Sequence, residues 1–598
     1  MSDFLSSSKE LDERIGKKTK LLLLLIILTI GVLIFITTIT HIAISNRDIP
    51  KLIINKTNRA LRGEILSKEG FKLSFSQKLY KAMVNTYNID PDKKELFVKL
   101  FSIYSGVDEK IVRKRLNHKG NVVLSYSIDA NRAKYLKELA RKLRLLKVFI
   151  PYKDRNGRII KYGLSITESG EARIFAYKDS FEPILGFMKK DEEDGFTRPI
   201  GVKGLEKSYQ EALRPIQNGI IKGVRDIANA IILDGKSFVK PSINGMTIRL
   251  NISMSLQKSV EMVLEKFKKE LKAKEVVAIV MESKTGKIRT MATSNRFDPG
   301  NIRRKDYPSL NVTAIEYTYE PGSVIKPITF SLLLQRHRVN PYDIVRTYNG
   351  YFKLGKRVIT DEYKKEWMSA ENVIVYSSNI GIAQLSQRLD AIDFIEGFKN
   401  FGFTQKTGID LPYEHMGVMP NSLKMESEVY KATVGYGYGI RATLIQLVCA
   451  YSAFNNNGRI VEPKIVDVII DHTGKVYPVE PFEEPRQAIS PAVARQMKHI
   501  LQKVVKKGTG VRAKTEGLII GGKTGTAHIA SKKGGYAKLY NSSFIGFAND
   551  KKDSFTIGVL VREPKKPYSY YASKSAVPVF KQIVDILIEQ GELIPSNP

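Results

Sequence analysis

Ser323 and Lys326 lie three residues apart in Glu320-Pro321-Gly322-Ser323-Val324-Ile325-Lys326-Pro327. The Pro-Gly pair predicts a turn, and the apolar run Ile328 to Leu334 predicts a buried helix after it. Ser323 then falls in the first helical turn, with Lys326 projecting from the same face. A serine hydroxyl is a weak nucleophile near neutral pH and needs a base held against it. A lysine drawn into a dry site can be that base, because burial disfavours its ammonium form. The helix N-terminus adds partial positive charge where an oxyanion would form. The pair alone is a weak signal, since the same spacing recurs at Ser6, Ser237 and Ser255. Two later strings strengthen it. Ser377-Ser378-Asn379 follows the helical pattern Ala370 to Tyr376, and Lys523-Thr524-Gly525-Thr526-Ala527 follows the apolar stretch 517–522.

Lysine-threonine-glycine occurs three times, at Lys284, Lys406 and Lys523. Lys284 is predicted at a hairpin tip, between the strands Val276 to Met281 and Ile288 to Ala292. Lys406 is predicted in a loop bounded by glycine and proline. Lys523 follows a strand pattern with flanking glycines, from which a lysine can point into a cleft. Trp367, the one tryptophan, is expected to serve packing, and His528 has no carboxylate partner that would make it a base.

The elements that position these groups are partly legible. Residues 1–20 are polar and end in Arg14, Lys17, Lys18 and Lys20, and Leu21 to Ile44 is apolar over a length that spans a bilayer. This predicts a retained single-pass anchor with its basic flank in the cytoplasm and the remainder outside. From 45 to about 240 short strands mix with amphipathic helices. Lys93 to Leu116 shows helical spacing through Leu96, Leu100, Ile103, Val107 and Ile111, and Asp129 to Leu145 through Tyr135, Leu136, Leu139 and Leu143. A boundary is expected where Pro241, Asn244 and Gly245 cluster. Beyond it a strand over Met246 to Ile252 precedes a helix over Ser255 to Lys272.

At 598 residues the chain has room for three or four domains, and its formal net charge is +35. The basic residues are dispersed, without zinc-finger spacing, an RNP-like string or a localised basic helix. An anionic envelope surface or anionic substrate fits this pattern better than nucleic acid, and no nucleic-acid partner is expected. Cys449 is the one cysteine, so no intramolecular disulfide can form, and its apolar surroundings read as core. Neither metal-ligand spacing nor a phosphate-binding glycine loop is present, and no cofactor or metal is expected.

Serine-x-x-lysine, serine-x-asparagine and lysine-threonine-glycine, in that order, resemble the signature of penicillin-binding proteins and serine β-lactamases. Arg62-Gly63-Glu64-Ile65 and Gly204-Leu205-Glu206 are similar to landmarks of the non-catalytic domain of class B penicillin-binding proteins, although Ser67-Lys68-Glu69-Gly70 replaces the usual Asp-Arg-Asn-Gly. Met246 to about Glu589 resembles a transpeptidase domain throughout. The resemblance implies an α+β multidomain chain: cytoplasmic tail 1–20, transmembrane helix 21–44, an elongated non-catalytic pedestal 45–240 in the periplasm, and a transpeptidase domain 241–598 with an antiparallel sheet flanked by helices. It implies Ser323 as nucleophile, Lys326 as its base and Ser377 as a proton relay between Lys326 and Lys523. It implies Asn379 on the substrate amide, and Lys523, Thr524 and Thr526 on a terminal carboxylate. Gly525 would let the substrate approach the strand, and the Ser323 and Thr526 N–H groups would form an oxyanion hole. The implied activity is D,D-transpeptidation of D-Ala-D-Ala stem peptides, inhibited by β-lactams, at a bacterial inner membrane. A glycan polymerase of the SEDS family and divisome proteins are the implied partners. Tyr319-Glu320-Pro321-Gly322 and Ser377-Ser378-Asn379 resemble the division branch, with an elongation role, a β-lactam sensor and a carboxypeptidase as alternatives.

Overall fold

The computed structural model describes residues 2–44, 53–153, 157, 159–160, 163–193, 196–225, 231–235, 237–482, 484–531 and 535–596. An uninterrupted helix runs over Ser2–Ile44, so the basic segment expected as a separate tail is part of it. Its portion Gly16–Ile44 has mean hydropathy 3.0 and is fully exposed, and it is long enough to cross a membrane. The threonines in it do not interrupt the helix because their hydroxyls donate to carbonyls one turn back, as Thr29 does to Leu25 at 2.6 Å and Thr40 to Ile36 at 2.7 Å. Such back-bonding leaves no hydroxyl unmet in hydrocarbon. The same compact unit, residues 1–58 with 219–241, contains a small sheet in which Ile53–Asn58 pairs antiparallel with Gly219–Arg225.

The second unit comprises residues 59–218 and 242–598. One mixed sheet runs through it in the order Val476–Pro478, Val466–Ile470, Thr247–Leu250, Ile65–Leu66, Lys72–Asn85, Ser165–Phe175, Phe196–Gly201, Met188–Glu193, with Asn121–Asp129 also on Lys72–Asn85. Strands from before and after residue 241 share this sheet, although the chain passes from the first compact unit to the second at 241/242. Three helices bury Phe97, Phe101, Leu136 and Leu143 together. The periodic stretch 93–116 is two helices, Lys94–Ser105 and Glu109–Leu116, because Gly106 adopts φ +72° and ends the first. Its inner face is also shifted: Leu96 and Ile103 are exposed and Leu100 is only partly buried, whereas Phe97 and Phe101 pack ring against ring at 5.8 Å. The larger rings, which remove more apolar area from water, hold the inner face.

The two landmarks before residue 241 meet in a buried ion network. Glu206, wholly buried, accepts from Arg62 Nε at 2.8 Å, Arg173 Nε at 2.6 Å and Ser74 Oγ at 2.7 Å. Burial pushes its carboxyl up, but the Arg173 and Arg62 guanidinium groups outweigh that and hold it below the usual range. Arg173 also donates to the Gly63 carbonyl at 2.6 Å, tying the first landmark's backbone to the second's carboxylate.

A five-stranded antiparallel sheet carries the lysine-threonine-glycine motif on its edge strand. Its order is Ile288–Thr293, Glu275–Glu282, Ser554–Arg562, Tyr536–Asn549, Ile519–Ala530. Side chains alternate between two cores, as period-two strands require. Val276, Ala278, Val280, Phe544 and Val559 pack with helices Met254–Leu271 and Ala576–Glu589. Val277, Ile279, Met281, Ile545 and Phe547 pack with Leu444–Asn455, Pro491–Lys507 and Lys326–Gln335. Cys449 lies in this second core. Trp367 is not a packing residue: it is 55 % exposed with the Arg346 guanidinium 5.2 Å from its ring.

Replacing Glu206 by alanine leaves two buried guanidinium groups without their shared counter-ion. The expected destabilisation is about 3–5 kcal/mol, measured as a lowered urea midpoint of the full chain in detergent, whereas Glu64→Ala, at an exposed pair with Lys72, changes it by less than about 1 kcal/mol.

Candidate active site

The turn bearing Ser323 is built by backbone contacts. Gly322 takes φ +63° and opens a single 3-10 turn, Gly322–Ile325, after which the helix Lys326–Gln335 begins. A 3-10 turn thus stands between the expected loop and helix. Pro327 fits the first α-turn, where its missing N–H has no intrahelical partner to lose. Gly322 N–H donates to Gly437 O at 2.9 Å, and buried Tyr451 donates its hydroxyl to Val324 O at 2.6 Å. Gly437, at φ +93°, must be glycine, since a Cβ there would lie 1.9 Å from Gly322 O. Ser323 lines a cleft with Glu362, Tyr376, Ser377, Asn379 and Thr526 among its walls.

Lys326 is fully buried and donates to Ser377 O at 2.6 Å, Asn379 Oδ1 at 2.7 Å and Ser377 Oγ at 3.2 Å. Burial pushes its amine down to about 7, against the opposing charges of Asp361 and Glu362. Lys523, equally buried, donates to Ser377 Oγ at 2.9 Å and to Thr524 O at 3.2 Å. Its amine is also driven well below the ordinary lysine range, by burial first and by Lys326 second. The structure therefore brings Lys326, Ser377 and Lys523 together around one hydroxyl. Ser377 sits at φ +64°, a left-handed conformation uncommon for a serine. Of the three lysine-threonine-glycine strings, this one reaches Ser377. Lys284 lies in the turn between Glu275–Glu282 and Ile288–Thr293, and Thr407 beside Lys406 donates to Glu414 at 2.6 Å.

Asp361 carries no motif and was not foreseen. It is 6 % exposed, and its carboxylate accepts from Ser378 Oγ, from the Asn379 N–H and from the Ile380 N–H at 3.1 Å. It thereby caps the helix Asn379–Leu385 and fixes the serine-x-asparagine turn. Asn379 uses both ends of its amide within the protein: Oδ1 accepts from Lys326, and Nδ2 donates to Thr360 O at 2.9 Å. The second Nδ2 proton is left over from these contacts.

Gly525 differs from its expected role. A Cβ on it would lie 2.7 Å from Pro321 O, 2.7 Å from Ser543 Oγ and 2.9 Å from Val324 Cγ1, all protein atoms. Its missing side chain admits the Ser323 turn to the strand rather than a substrate. The strand Ile519–Ala530 is a sheet edge, paired on one side with Tyr536–Asn549. His528 N–H donates away from that partner, to Tyr438 OH at 3.2 Å. By strand alternation the Thr526 N–H points the same way, to the open edge. Thr526 Oγ1 accepts from Ala572 N–H at 3.2 Å, and Thr524 and Thr509 hydroxyls lie 2.7 Å apart. Two glutamates near the second motif are engaged elsewhere: Glu371 pairs with Lys503 at 2.8 Å and Glu366 with Arg346 at 2.7 Å.

Comparison with known proteins supplies the family context. The penicillin binding protein transpeptidase domain matches residues 276–585, and the penicillin-binding protein dimerisation domain matches 57–250. The chain is 26 % identical to the peptidoglycan D,D-transpeptidase FtsI of Buchnera aphidicola subsp. Baizongia pistaciae, over 98 % of this chain and 97 % of that protein. It is 27 % identical to stage V sporulation protein D of Bacillus subtilis, over 95 % of this chain and 86 % of that protein. It shares its fold with penicillin binding protein 3 of Mycobacterium tuberculosis complexed with aztreonam, at TM-score 0.64 and 21 % identity, over 91 % of this chain and 98 % of that one.

The depressed Lys326 amine has a thermodynamic signature. Between about pH 7 and the ordinary lysine range the unfolded chain binds a proton there that the folded chain does not. Lys326 therefore erodes stability as pH falls through that window, and the loss is complete near pH 7. Lys326→Met should flatten the rise of thermal unfolding midpoint between pH 7 and pH 10, read by calorimetry, while Lys523 keeps the slope above zero.

Proposed function

The chain belongs to the penicillin-binding protein transpeptidase family, and from that premise we infer how its cleft performs peptidoglycan D,D-transpeptidation, the activity named for its relatives. One observation carries the assignment of roles: a wholly buried lysine amine, Lys326, brought down to about 7 one helical turn from Ser323. Lys326 takes the Ser323 hydroxyl proton as the oxygen attacks the carbonyl of the penultimate D-alanine of a stem peptide. The N–H groups of Ser323 and Thr526 hold the resulting oxyanion. The C–N bond then breaks, and the departing D-alanine amine takes a proton through Ser377, whose hydroxyl is replenished from the Lys326 and Lys523 side. Lys523 and the Thr524 and Thr526 hydroxyls hold the terminal carboxylate, and a β-lactam enters with its own carboxylate there. The amine of a second stem peptide attacks the ester carbonyl, its proton passes back to Ser323, and the crosslink is formed.

The N-terminal helix makes this a single-pass membrane protein. We place its basic N-terminal end in the cytoplasm and the catalytic part in the periplasm, on the rule that positive flanks stay inside. A role at the division septum is supported by the FtsI relative and by the Tyr319-Glu320-Pro321-Gly322 string. In that role a SEDS-family glycan polymerase would supply the strands to be joined, alongside other division proteins.

The test is covalent labelling of the full chain by fluorescent penicillin. Ser323→Ala should abolish it, and Lys326→Arg should not restore what Lys326→Ala loses, because guanidinium keeps its proton. The acylation rate should rise with pH through a midpoint near 7, since the reactive form is the neutral amine. A profile flat from pH 5 to 9, or labelling of Ser323→Ala at the native rate, would overturn the assignment.

A further inference from the structure

We propose that Glu362 is the acceptor-side specificity residue of this cleft, binding the positively charged ammonium of the amine that receives the acyl group. The inference rests on the transpeptidase reading above.

Glu362 is exposed and lines the same cleft as Ser323, Ser377 and Asn379. Among the described residues lining that cleft it is the one carboxylate, and among the described residues it enters no ion pair. Its partner is the neutral Tyr571 phenol, from which it accepts a hydrogen bond, rather than a cation, and that is conspicuous in a chain of net charge +35. The residues on either side of it are fastened. Asp361 is clamped by the N–H groups of Asn379 and Ile380, and the Tyr363 ring stacks on Tyr376 with centroids 4.3 Å apart. Both clamps belong to the segment that carries Ser377, so Glu362 is held on the Ser377 wall of the cleft. Its negative charge is felt at Lys326 and at the Tyr571 phenol, which is pushed up to about 12 by the Tyr570 hydrogen bond first and by Glu362 next.

The cleft is consequently polarised. The edge-strand wall presents Thr524 and Thr526, with the buried Lys523 amine donating to the Thr524 hydroxyl, a set that suits an anion. The Ser377 wall presents a carboxylate, which repels the donor's terminal carboxylate and attracts a cation. The amine that leaves and the amine that enters both exchange a proton with Ser377, so the incoming group must pass this wall. At working pH most of that amine is ammonium. Glu362 gathers it into the cleft, where the fraction that sheds its proton to solvent attacks the ester. Binding, rather than bond-making, is the step that depends on the charge.

The experiment uses the full chain in detergent, a D-alanyl thioester donor, and two acceptors: D-alanine, an ammonium, and hydroxylamine, neutral at pH 8. Products of aminolysis and hydrolysis are quantified by mass spectrometry. Glu362→Gln should raise the D-alanine concentration giving half-maximal aminolysis by about tenfold, a charge-assisted contact's worth, with the effect on half-saturation rather than on the limiting rate. Hydroxylamine should show no such shift. Glu362→Asp should recover part of the loss, and 0.5 M salt should shrink the difference between wild type and Glu362→Gln. Stoichiometric labelling by fluorescent penicillin checks that each variant is folded. An unchanged D-alanine half-saturation in an acylating variant, or equal shifts for both acceptors, overturns the proposal alone. A wild-type chain that forms no acyl-enzyme from the donor removes the transpeptidase reading and this proposal together.

Discussion

Two ammonium ions cannot share one dry pocket with a single hydroxyl between them. Lys326 and Lys523 are both fully buried and both donate to Ser377 Oγ, at 3.2 and 2.9 Å. Desolvation lowers both amines, and the charge of Lys326 lowers Lys523 further. The surroundings offer carbonyl and amide oxygens to Lys326, from Ser377 and Asn379, rather than a direct carboxylate partner. A carboxylate in contact would restore the ammonium form and remove the base. Asp361 is close enough to be felt by Lys326, but its lone pairs are committed to Ser378, Asn379 and Ile380. The acid fixes the turn without neutralising the amine's tendency to lose its proton.

That arrangement demands rigidity from elements far apart in the chain. Ser323 and Lys326 come from one helix start, Ser377 and Asn379 from a capped helix, and Lys523 from the sheet edge. The sheet supplies the common frame because its two faces are buried in separate cores. Strand alternation commits each residue of the edge strand to a face, so a one-residue slip would remove Lys523 from the cleft altogether. The pairing of Lys523 with Ile545 places the motif near the middle of a long ladder, where slippage is most costly.

The motifs, the hairpin over Val276 to Ala292 and the N-terminal span were legible because each depends on local spacing: a turn dipeptide, a period of two, an unbroken apolar run. What failed depended on tertiary competition. Leu96 and Ile103 have a good helical period, yet Phe97 and Phe101 on the same helix took the inner face. Asp361 was invisible because a helix cap seventeen residues distant in sequence from the serine it serves leaves no local signature. Trp367 was expected to serve packing, and it lies at the surface with the Arg346 guanidinium 5.2 Å from its ring. The sharing of one sheet by strands from before and after position 241 was likewise unreadable, since short strands such as Ile65–Leu66 and Thr247–Leu250 gain their identity only from being paired with each other.

Gly525 shows how a motif can be legible for one reason and required for another. The sequence pattern invites the view that its bare backbone is an approach path for the substrate. The atoms that a Cβ would meet are instead Pro321 O and Val324 Cγ1, which belong to the turn carrying Ser323. Gly322 and Gly437 are bound by the same logic: one needs φ +63°, and the other brings its backbone within hydrogen-bonding distance of the first. Three glycines from three distant segments therefore converge on a single turn, and backbone lies directly on backbone there. Side-chain packing tolerates small adjustments through rotamers, but backbone contact at this range does not. The nucleophile is thus positioned by the least deformable contacts available to a polypeptide, which is what an attack geometry sensitive to about 1 Å requires.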